Sequence, residues 1–250
     1  MNMEEIKAIY SYSGFYPDHY LASALHSDAA EIGVTGDNLK SLKALLEPKL
    51  LELDVHSLTQ ESKELRLSIG EQLFKTLGYY EKSAVGSKED RILLIGQHKV
   101  ILRVERRIIL KGRGELWLLF SDQPSHQDNV EDFDSDESSD ESIVQNAVEL
   151  PIASNSNRSI RLTWGKVLDS IFIDDDTDCE WLILSNGVSL YLFEQGKWQE
   201  SRAFLELNLP DLFALNKETL YRTAEALFCP TAFPIDSADF FHEKLAHEAH

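Results

Sequence analysis

Apolar residues recur along the chain with two different periods, one typical of helices and one typical of strands. Residues 1–56 have the helical spacing, which is clearest in the stripe Leu39, Leu42, Leu46, Leu50 and Leu53. Pro17 suits a helix start, whereas Pro48 predicts a kink or break within the stripe. The sequence therefore predicts a helical N-terminal segment over 1–56.

The third predicted helix has signals at both ends. Ser57 with Gln60 resembles a capping box, the apolar residues that follow are four positions apart, and Gly78 can close the C-terminus. These signals predict a helix over 57–77. The period then changes to short apolar runs rich in β-branched residues, which predict strands at about 91–95, 99–110 and 115–121.

Residues 123–146 interrupt this pattern. The segment is rich in Ser, Asp and Glu, has no Lys or Arg, and cannot bury enough apolar surface to offset the entropy cost of ordering. This composition therefore predicts that 123–146 is an acidic disordered loop within a folded unit. After it we expect an amphipathic helix over 161–172, strands near 180–185, 188–194 and 203–207, and helices near 210–228 and 235–250.

Together these elements predict an α+β fold. We expect a helical N-terminal segment over 1–56, an α/β core with a central mixed sheet over 57–208, and a C-terminal helical linker over 209–250. Because the last helix has no Gly or Pro stop signal, the sequence also predicts that the chain continues into a further domain.

Composition and charge narrow the functional classes. The chain of 250 residues is 43% hydrophobic, as expected for a globular protein, and its formal net charge is −19. Much of that charge lies in two segments, with nine acidic residues between Asp122 and Glu141 and five between Asp174 and Glu180. The chain has two cysteines, no signal peptide and no long apolar run, so we expect a cytoplasmic protein without membrane contact.

The order helix, three strands, helix, strand between 57 and 185 is also the order of the core in PD-(D/E)xK nucleases. Those enzymes hold Mg²⁺ with carboxylates near the second and third strands and use the lysine of an E-x-K motif to orient the attacking water. Here the third strand reads "ELWLLFSD", in which Glu115 is followed two residues later by Trp117 instead of lysine. We therefore predict a degenerate core whose remaining nuclease candidates are Asp90, Glu105, Glu115 and Asp122.

Other catalytic and ligand-binding patterns are incomplete. His242 and His247 are five residues apart, whereas two metal ligands on one helix face need a spacing of four. The run "DDDTD" at 174–178 lacks the spaced ligands, the glycine and the closing glutamate of a calcium loop. There is no glycine-rich phosphate loop, so we expect this chain to bind no metal and no cofactor by itself.

Basic residues are concentrated on and just after the second predicted strand. Such a patch can contact DNA phosphates, although a half-exposed strand face with internal ion pairs also accounts for it. The acidic loop would then compete with DNA for the patch, or imitate DNA towards a basic partner. The candidate DNA-binding residues are Arg103, Arg106, Arg107, Lys111 and Arg113.

The stretch from 180 to the C-terminus resembles a known family. Its hairpin carries the family's pattern at Trp181, Leu182, Leu184, Asn186, Gly187 and Leu192. The strand and helix that follow match it at Phe204, Leu205, Leu207, Leu209, Asp211, Leu212 and Phe213. The pattern resembles the N-terminal region of large bacterial DNA adenine-N6 methyltransferases, namely type IIG restriction–methylation enzymes and the methyltransferase of the DISARM phage-defence system.

This resemblance implies a role in restriction or phage defence. The parent enzyme would bind S-adenosylmethionine and duplex DNA, and would contact other subunits of the defence system. Because the family's N-P-P-Y motif and cofactor loop are absent from this chain, the implied role is a non-catalytic N-terminal module that contributes architecture, DNA or partner contact, or autoinhibition. Two alternatives stay open: an active Mg²⁺-dependent endonuclease domain, and an acidic interaction protein that mimics DNA.

Overall fold

A mixed β-sheet forms the centre of the molecule. The computed structural model describes residues 8–17, 20–21, 25–31, 33–53, 59–122, 143–173, 177–236 and 240–248. Its strands are β1 (Ile9–Tyr12), β2 (Gly86–Ile95), β3 (His98–Leu110), β4 (Arg113–Phe120), β5 (Ala147–Ile152), β6 (Asn155–Thr163), β7 (Cys179–Ser185), β8 (Ser189–Glu194) and β9 (Phe204–Asn208). Within the described residues they form one sheet in the order β1-β9-β8-β7-β4-β3-β5-β6, and β2 pairs with the other edge of β3.

Helices cover both faces of this sheet. They are α1 (Leu25–Glu31), α2 (Asp37–Glu52), α3 (Gln60–Thr76), α4 (Trp164–Ile173), α5 (Gln195–Ser201), α6 (Leu209–Leu215), α7 (Glu218–Phe228) and α8 (Phe241–Glu248). Single turns of 3₁₀ helix occur at Tyr79–Glu81, Ile143–Gln145 and Pro230–Ala232. No helix among the described residues has the length and apolar character needed to cross a membrane. The prediction of an α+β fold with a central mixed sheet is confirmed.

Alternating side chains of the central strands divide the core into two clusters. In β4, Leu116 and Leu118 belong to the cluster that contains α1, α2, α3, α6, α7 and α8, whereas Trp117 and Leu119 belong to the cluster under α4 and α5. Successive residues of a strand point to opposite faces, so a strand covered on both sides has a continuous apolar run. This explains why "LWLLF" in β4 and "WLIL" in β7 show no polar alternation.

The connections of four strands follow the order noted in the sequence. α3 precedes β2, β3 and β4, which pair with one another antiparallel. After the β5–β6 hairpin, α4 leads to β7, which pairs parallel to β4 from Leu116↔Trp181 to Phe120↔Ser185. β8 and β9 then extend the sheet by antiparallel pairing. The central four-stranded unit is therefore β2-β3-β4-β7 with one parallel pair.

Local signals fix both ends of α3, with one correction to the sequence prediction. The N-cap is Thr59, whose side-chain oxygen accepts a hydrogen bond of 3.3 Å from the backbone N–H of Ser62. The predicted cap, Ser57, lies outside the described residues. At the other end Gly78 has a φ of 90°, a left-handed conformation that glycine adopts without strain, so the predicted stop signal is confirmed.

Three local features differ from the sequence prediction. Ile9–Tyr12 is a strand and not a helix, because it pairs with β9 near the other end of the chain. Pro48 lies inside α2, which continues beyond it to Glu52. The helix predicted over 161–172 begins only at Trp164, as α4. Residues 161–163 belong to β6, which pairs with β5.

The three segments predicted from the sequence share one core. Glu225 of α7 accepts hydrogen bonds from the backbone N–H of Leu39 (3.2 Å) and the side-chain amide of Asn38 (2.8 Å), at the start of α2. His242 of α8 reaches the N-terminal region, where its Nδ1 lies 2.6 Å from the hydroxyl of Tyr16. The described helices after residue 209 therefore pack into the body of the molecule, whereas the sequence predicted a linker.

Candidate binding cleft

A cleft opens where β3 separates from β4. The register between these strands runs from 106 to 110 on β3, and the same edge of β3 meets β5 at Val100. Residues 101–105 lie between the two contacts, and Ile101, Leu102, Arg103 and Glu105 line a cleft of about 810 Å³. The remaining walls come from α3, the end of β4 and the strand β5. The fork between the two strands thus produces the cavity.

Two of the predicted nuclease candidates, Asp90 and Asp122, line this cleft as members of ion pairs. Oδ1 of Asp90 lies 2.5 Å from Nε of Arg103, and Oδ2 of Asp122 lies 3.3 Å from Nζ of Lys63. The two aspartate side chains are 49% and 39% exposed, so solvent screens these pairs and they contribute little to stability. Each carboxylate nevertheless has a cation beside it.

Glu105, a third candidate, is the buried acid of the cleft, with 6% of its surface exposed. Its Oε1 accepts a hydrogen bond of 3.0 Å from the hydroxyl of Tyr80 and lies 3.7 Å from Nζ of Lys88. Lys88 has a φ of 50°, a left-handed conformation that is costly for a residue with a Cβ atom. Burial and the hydrogen bond to Glu105 raise the pKa of Tyr80 above its usual range, so this hydroxyl remains a donor.

Glu115, the fourth candidate, lies away from the cleft in a buried ion pair. Its two oxygens accept hydrogen bonds of 2.5 and 2.8 Å from the guanidinium of Arg107, and the indole N–H of Trp117 donates a third of 2.7 Å. Burial raises the pKa of Glu115, but these hydrogen bonds outweigh burial and hold the pKa below its usual range. Glu115 is therefore engaged in a structural network.

The candidate DNA-binding residues whose side chains are described all have partners within the molecule. Arg103 pairs with Asp90, Arg106 donates a hydrogen bond of 2.6 Å to the carbonyl of Lys82, and Arg107 holds Glu115. The ammonium of Lys111 donates to the carbonyl of Asp236. The side chain of Arg113 lies outside the described residues. These internal contacts lie on β2, on β4, on Lys82 before β2, and in the C-terminal region.

Sequence reasoning missed the contribution of α3 to the cleft. Glu64, Leu67, Ser68 and Glu71 all line it, and their spacing of three, four and seven residues places them on one helix face. That spacing was visible in the sequence, but the partner of this face was not. With Glu149 of β5, the lining residues include six carboxylates and two cations, Lys88 and Arg103. Among the described residues no three acidic, histidine or cysteine side chains are grouped so that they could hold a metal ion.

Other residues considered from the sequence are buried or lie outside the described ranges. The ring of His242 is buried: its Nε2–H donates to the carbonyl of Leu227 (3.0 Å), so Nδ1 accepts from Tyr16. Burial, with a smaller effect from Lys197, lowers the pKa of His242 to about 3. Cys179 and Cys229 are buried thiols. The acidic segment 123–142, the residues 174–176 and the side chain of His247 are outside the described part.

The hairpin residues that carry the family resemblance are structural. Asn186 occupies the turn, where its Oδ1 accepts hydrogen bonds from the backbone N–H groups of Val188 (2.9 Å) and Ser189 (2.7 Å). Gly187 follows with a φ of 82° and its Cα faces the backbone of Arg66 in α3. The matching residues Trp181, Leu182, Leu184 and Leu192 are all buried. The pattern therefore specifies how this hairpin folds and packs.

Comparison with known proteins gives no relative for this chain. No protein-family model matches it, and no curated protein or solved structure matches it either.

Proposed function

We propose that the chain is a non-catalytic, nuclease-like module of a DNA adenine-N6 methyltransferase in a restriction or phage-defence system. The observation that carries this proposal is the order α3, β2, β3, β4 and then, after the inserted β5–β6 hairpin, α4 and β7, with three antiparallel strands and then a parallel pair. This is the order of the core in PD-(D/E)xK nucleases. The cleft lies at the fork of the second and third strands of that unit, where such enzymes hold their metal.

The chemistry of the cleft supports the non-catalytic part of the proposal. A Mg²⁺-dependent nuclease needs carboxylates that converge on one ion and a lysine beside the attacking water. Here Asp90, Glu105 and Asp122 each have a separate cationic partner. The described acids do not form a three-ligand group. The residues present therefore do not fit a Mg²⁺ site.

The methyltransferase part of the proposal rests on the resemblance of the hairpin and the following strand and helix. In that family the methyl transfer and the binding of S-adenosylmethionine belong to a separate domain, so this module would contribute architecture, contact with DNA or a partner subunit, or autoinhibition. No residue of this chain is assigned to methyl transfer.

The gene beyond the codon for His250 tests the methyltransferase assignment directly. A reading frame that continues and encodes an N-P-P-Y motif with a glycine-containing cofactor loop is the expected result. A stop codon directly after His250 would refute the assignment to a methyltransferase. The nuclease-like module would then have to be explained as a protein in its own right.

An active Mg²⁺-dependent endonuclease is the second candidate, because Asp90, Glu105 and Asp122 all line one cleft. The test is incubation of the purified chain with supercoiled plasmid and millimolar Mg²⁺ or Mn²⁺. We expect no nicking. Nicking that disappears in the triple variant Asp90→Ala, Glu105→Ala, Asp122→Ala, but persists in the control Glu47→Ala, Glu52→Ala, would establish the endonuclease and refute the non-catalytic module.

A further inference from the structure

We propose that the cleft binds an extended, lysine- or arginine-rich segment of a partner protein, which adds as a strand to the open edge of β3. This inference goes beyond the proposed function and rests on the cleft alone. It holds whether or not the chain belongs to a methyltransferase. Three independent features of the cleft carry it: the strand edge, the charge of the lining and the apolar surface between the charges.

The first feature is the edge of β3 between its contacts with β4 and β5. In the part of the chain that the structure describes, this edge pairs with β4 over 106–110 and with β5 at Val100. The stretch 101–105 spans about 17 Å, and its alternate residues, among them Ile101 and Arg103, turn their backbone N–H and C=O groups to the same edge as Lys99, whose carbonyl accepts from Ala153 beyond β5. Backbone N–H and C=O groups require hydrogen-bond partners, and an extended peptide that lies along a sheet edge supplies them in register.

The second feature is the negative charge around that edge. The lining holds six carboxylates against two cations, and one of those cations, Arg103, is already paired with Asp90. Glu64 and Glu71 are exposed on the α3 wall, and Glu149 is exposed on β5. A strand that enters between these walls meets carboxylates on both sides. Such a lining attracts lysine and arginine side chains and repels the phosphates of DNA.

The third feature is the apolar surface between the acids. Leu67 of α3 is 39% exposed, and Ile101 and Phe120 are partly exposed in the same cleft. Trp164 also lines it. The ring is 1% exposed, and its indole N–H has no hydrogen-bond partner among the described residues. A peptide with alternating apolar and basic residues would cover this surface, and a peptide carbonyl would offer an acceptor to that donor.

Peptide binding to the purified chain, measured by calorimetry, tests the proposal. The probe is a synthetic peptide of about nine residues that alternates lysine and valine, so that about five residues can pair along the edge and the remaining residues leave the sheet where β4 and β5 close it. Its matched controls are a glutamate–valine peptide of equal length and a lysine–valine peptide with alternate backbone nitrogens methylated. We expect saturable binding of the first peptide, no binding of the second, and binding about fivefold or more weaker for the third.

Two charge-matched protein variants locate the site. Glu64→Gln with Glu71→Gln removes two carboxylates from the cleft, whereas Glu47→Gln with Glu52→Gln removes two exposed carboxylates from α2, outside it. We expect the first variant to weaken lysine–valine binding about fivefold and the second to leave it unchanged. Thermal unfolding of both variants verifies that they fold like the parent chain.

Several results would overturn the proposal. Equal weakening by the two double variants would mean that the peptide responds only to the overall charge of −19. Equal binding of the methylated and unmodified peptides would rule out pairing with the strand edge. Displacement of the peptide by a duplex DNA oligonucleotide would assign the cleft to DNA. Failure of the lysine–valine peptide to bind at millimolar concentration would refute the proposal that the cleft binds a basic strand.

Discussion

Gly187, in the turn between β7 and β8, offers a direct test of how the central hairpin is built. Its φ of 82° lies in the left-handed region, and a Cβ atom added there would lie 2.7 Å from Cα and 2.9 Å from Cβ of Arg66. We consider the substitution Gly187→Ala. The matched control is Gly196→Ala in α5, where an added Cβ meets nothing within 4 Å. Both changes add one methyl group.

The expected cost of Gly187→Ala has two parts. A left-handed backbone costs a residue with a Cβ about 1–2 kcal/mol relative to glycine. The contact with Arg66 adds the cost of overpacking, about 1–3 kcal/mol, because the neighbouring atoms are the backbone and stem of a residue that is itself 1% exposed. The free energy of unfolding should therefore fall by about 2–5 kcal/mol, a large part of the usual 5–15 kcal/mol.

The measurement is urea unfolding followed by tryptophan fluorescence, since Trp181 lies in the neighbouring strand. Gly196→Ala should leave the free energy of unfolding unchanged or raise it by about 0.5–1 kcal/mol, because alanine has the higher helix propensity. If Gly187→Ala were as stable as the parent chain, the turn would not have the left-handed conformation, or α3 would not lie against it. The packing of α3 on the hairpin would then be wrong.

Three further substitutions test other parts of the structure. Thr59→Ala removes the N-cap of α3 and should lower the free energy of unfolding by about 1 kcal/mol, whereas Thr59→Ser should not. Glu115→Gln breaks the ion pair with Arg107, which keeps Glu89 as a partner, and should cost about 1.5–3 kcal/mol at neutral pH. Since the folded pKa of Glu115 is lowered, its contribution is complete above about pH 4.5 and is lost as the pH falls, so the variant should lose less stability than the parent chain in acid. His242 has a folded pKa of about 3 against 6.5 unfolded, so the parent chain should lose stability as the pH falls below 6.5, by up to about 1.4 kcal/mol per pH unit. His242→Gln should flatten that slope between pH 6.5 and 5 in equilibrium unfolding, and an unchanged slope would refute the buried neutral imidazole.

The sequence predicted the central strands well because their burial leaves a strong local signal. β4, β7 and β8 are apolar on both faces, and Asn186–Gly187 marks the turn between two of them. β1 had no such signal. Its four residues, Ile9–Tyr12, are held by pairing with β9, which is about 200 positions away in sequence and cannot be seen from local periodicity.

The site was predicted less completely than the fold, and for a similar reason. Acidic residues near strand ends could be chosen from the sequence, and Asp90, Glu105 and Asp122 do line one cleft. Their partners could not be predicted, because the pairing of these acids with Arg103, Lys88 and Lys63, respectively, depends on how β2, β3, α3 and the end of β4 meet in space. The sequence does not distinguish Glu115 from the others, because its partner Arg107 lies diagonally across the β3–β4 pair, where Glu115 is opposite Ile109 and Arg107 is opposite Trp117.

The pairing of β1 with β9 has a consequence for the order of events during synthesis. β1 lies at the edge of the sheet, and its only strand partner among the described residues spans 204–208. At a translation rate of about 5–20 residues per second, the first strand waits roughly 10–40 s for that partner to be made. The contact between Tyr16 and His242 forms later still. The N-terminal region must therefore stay unpaired and avoid aggregation through most of translation, and its final docking should be a late, slow step set by long-range contacts.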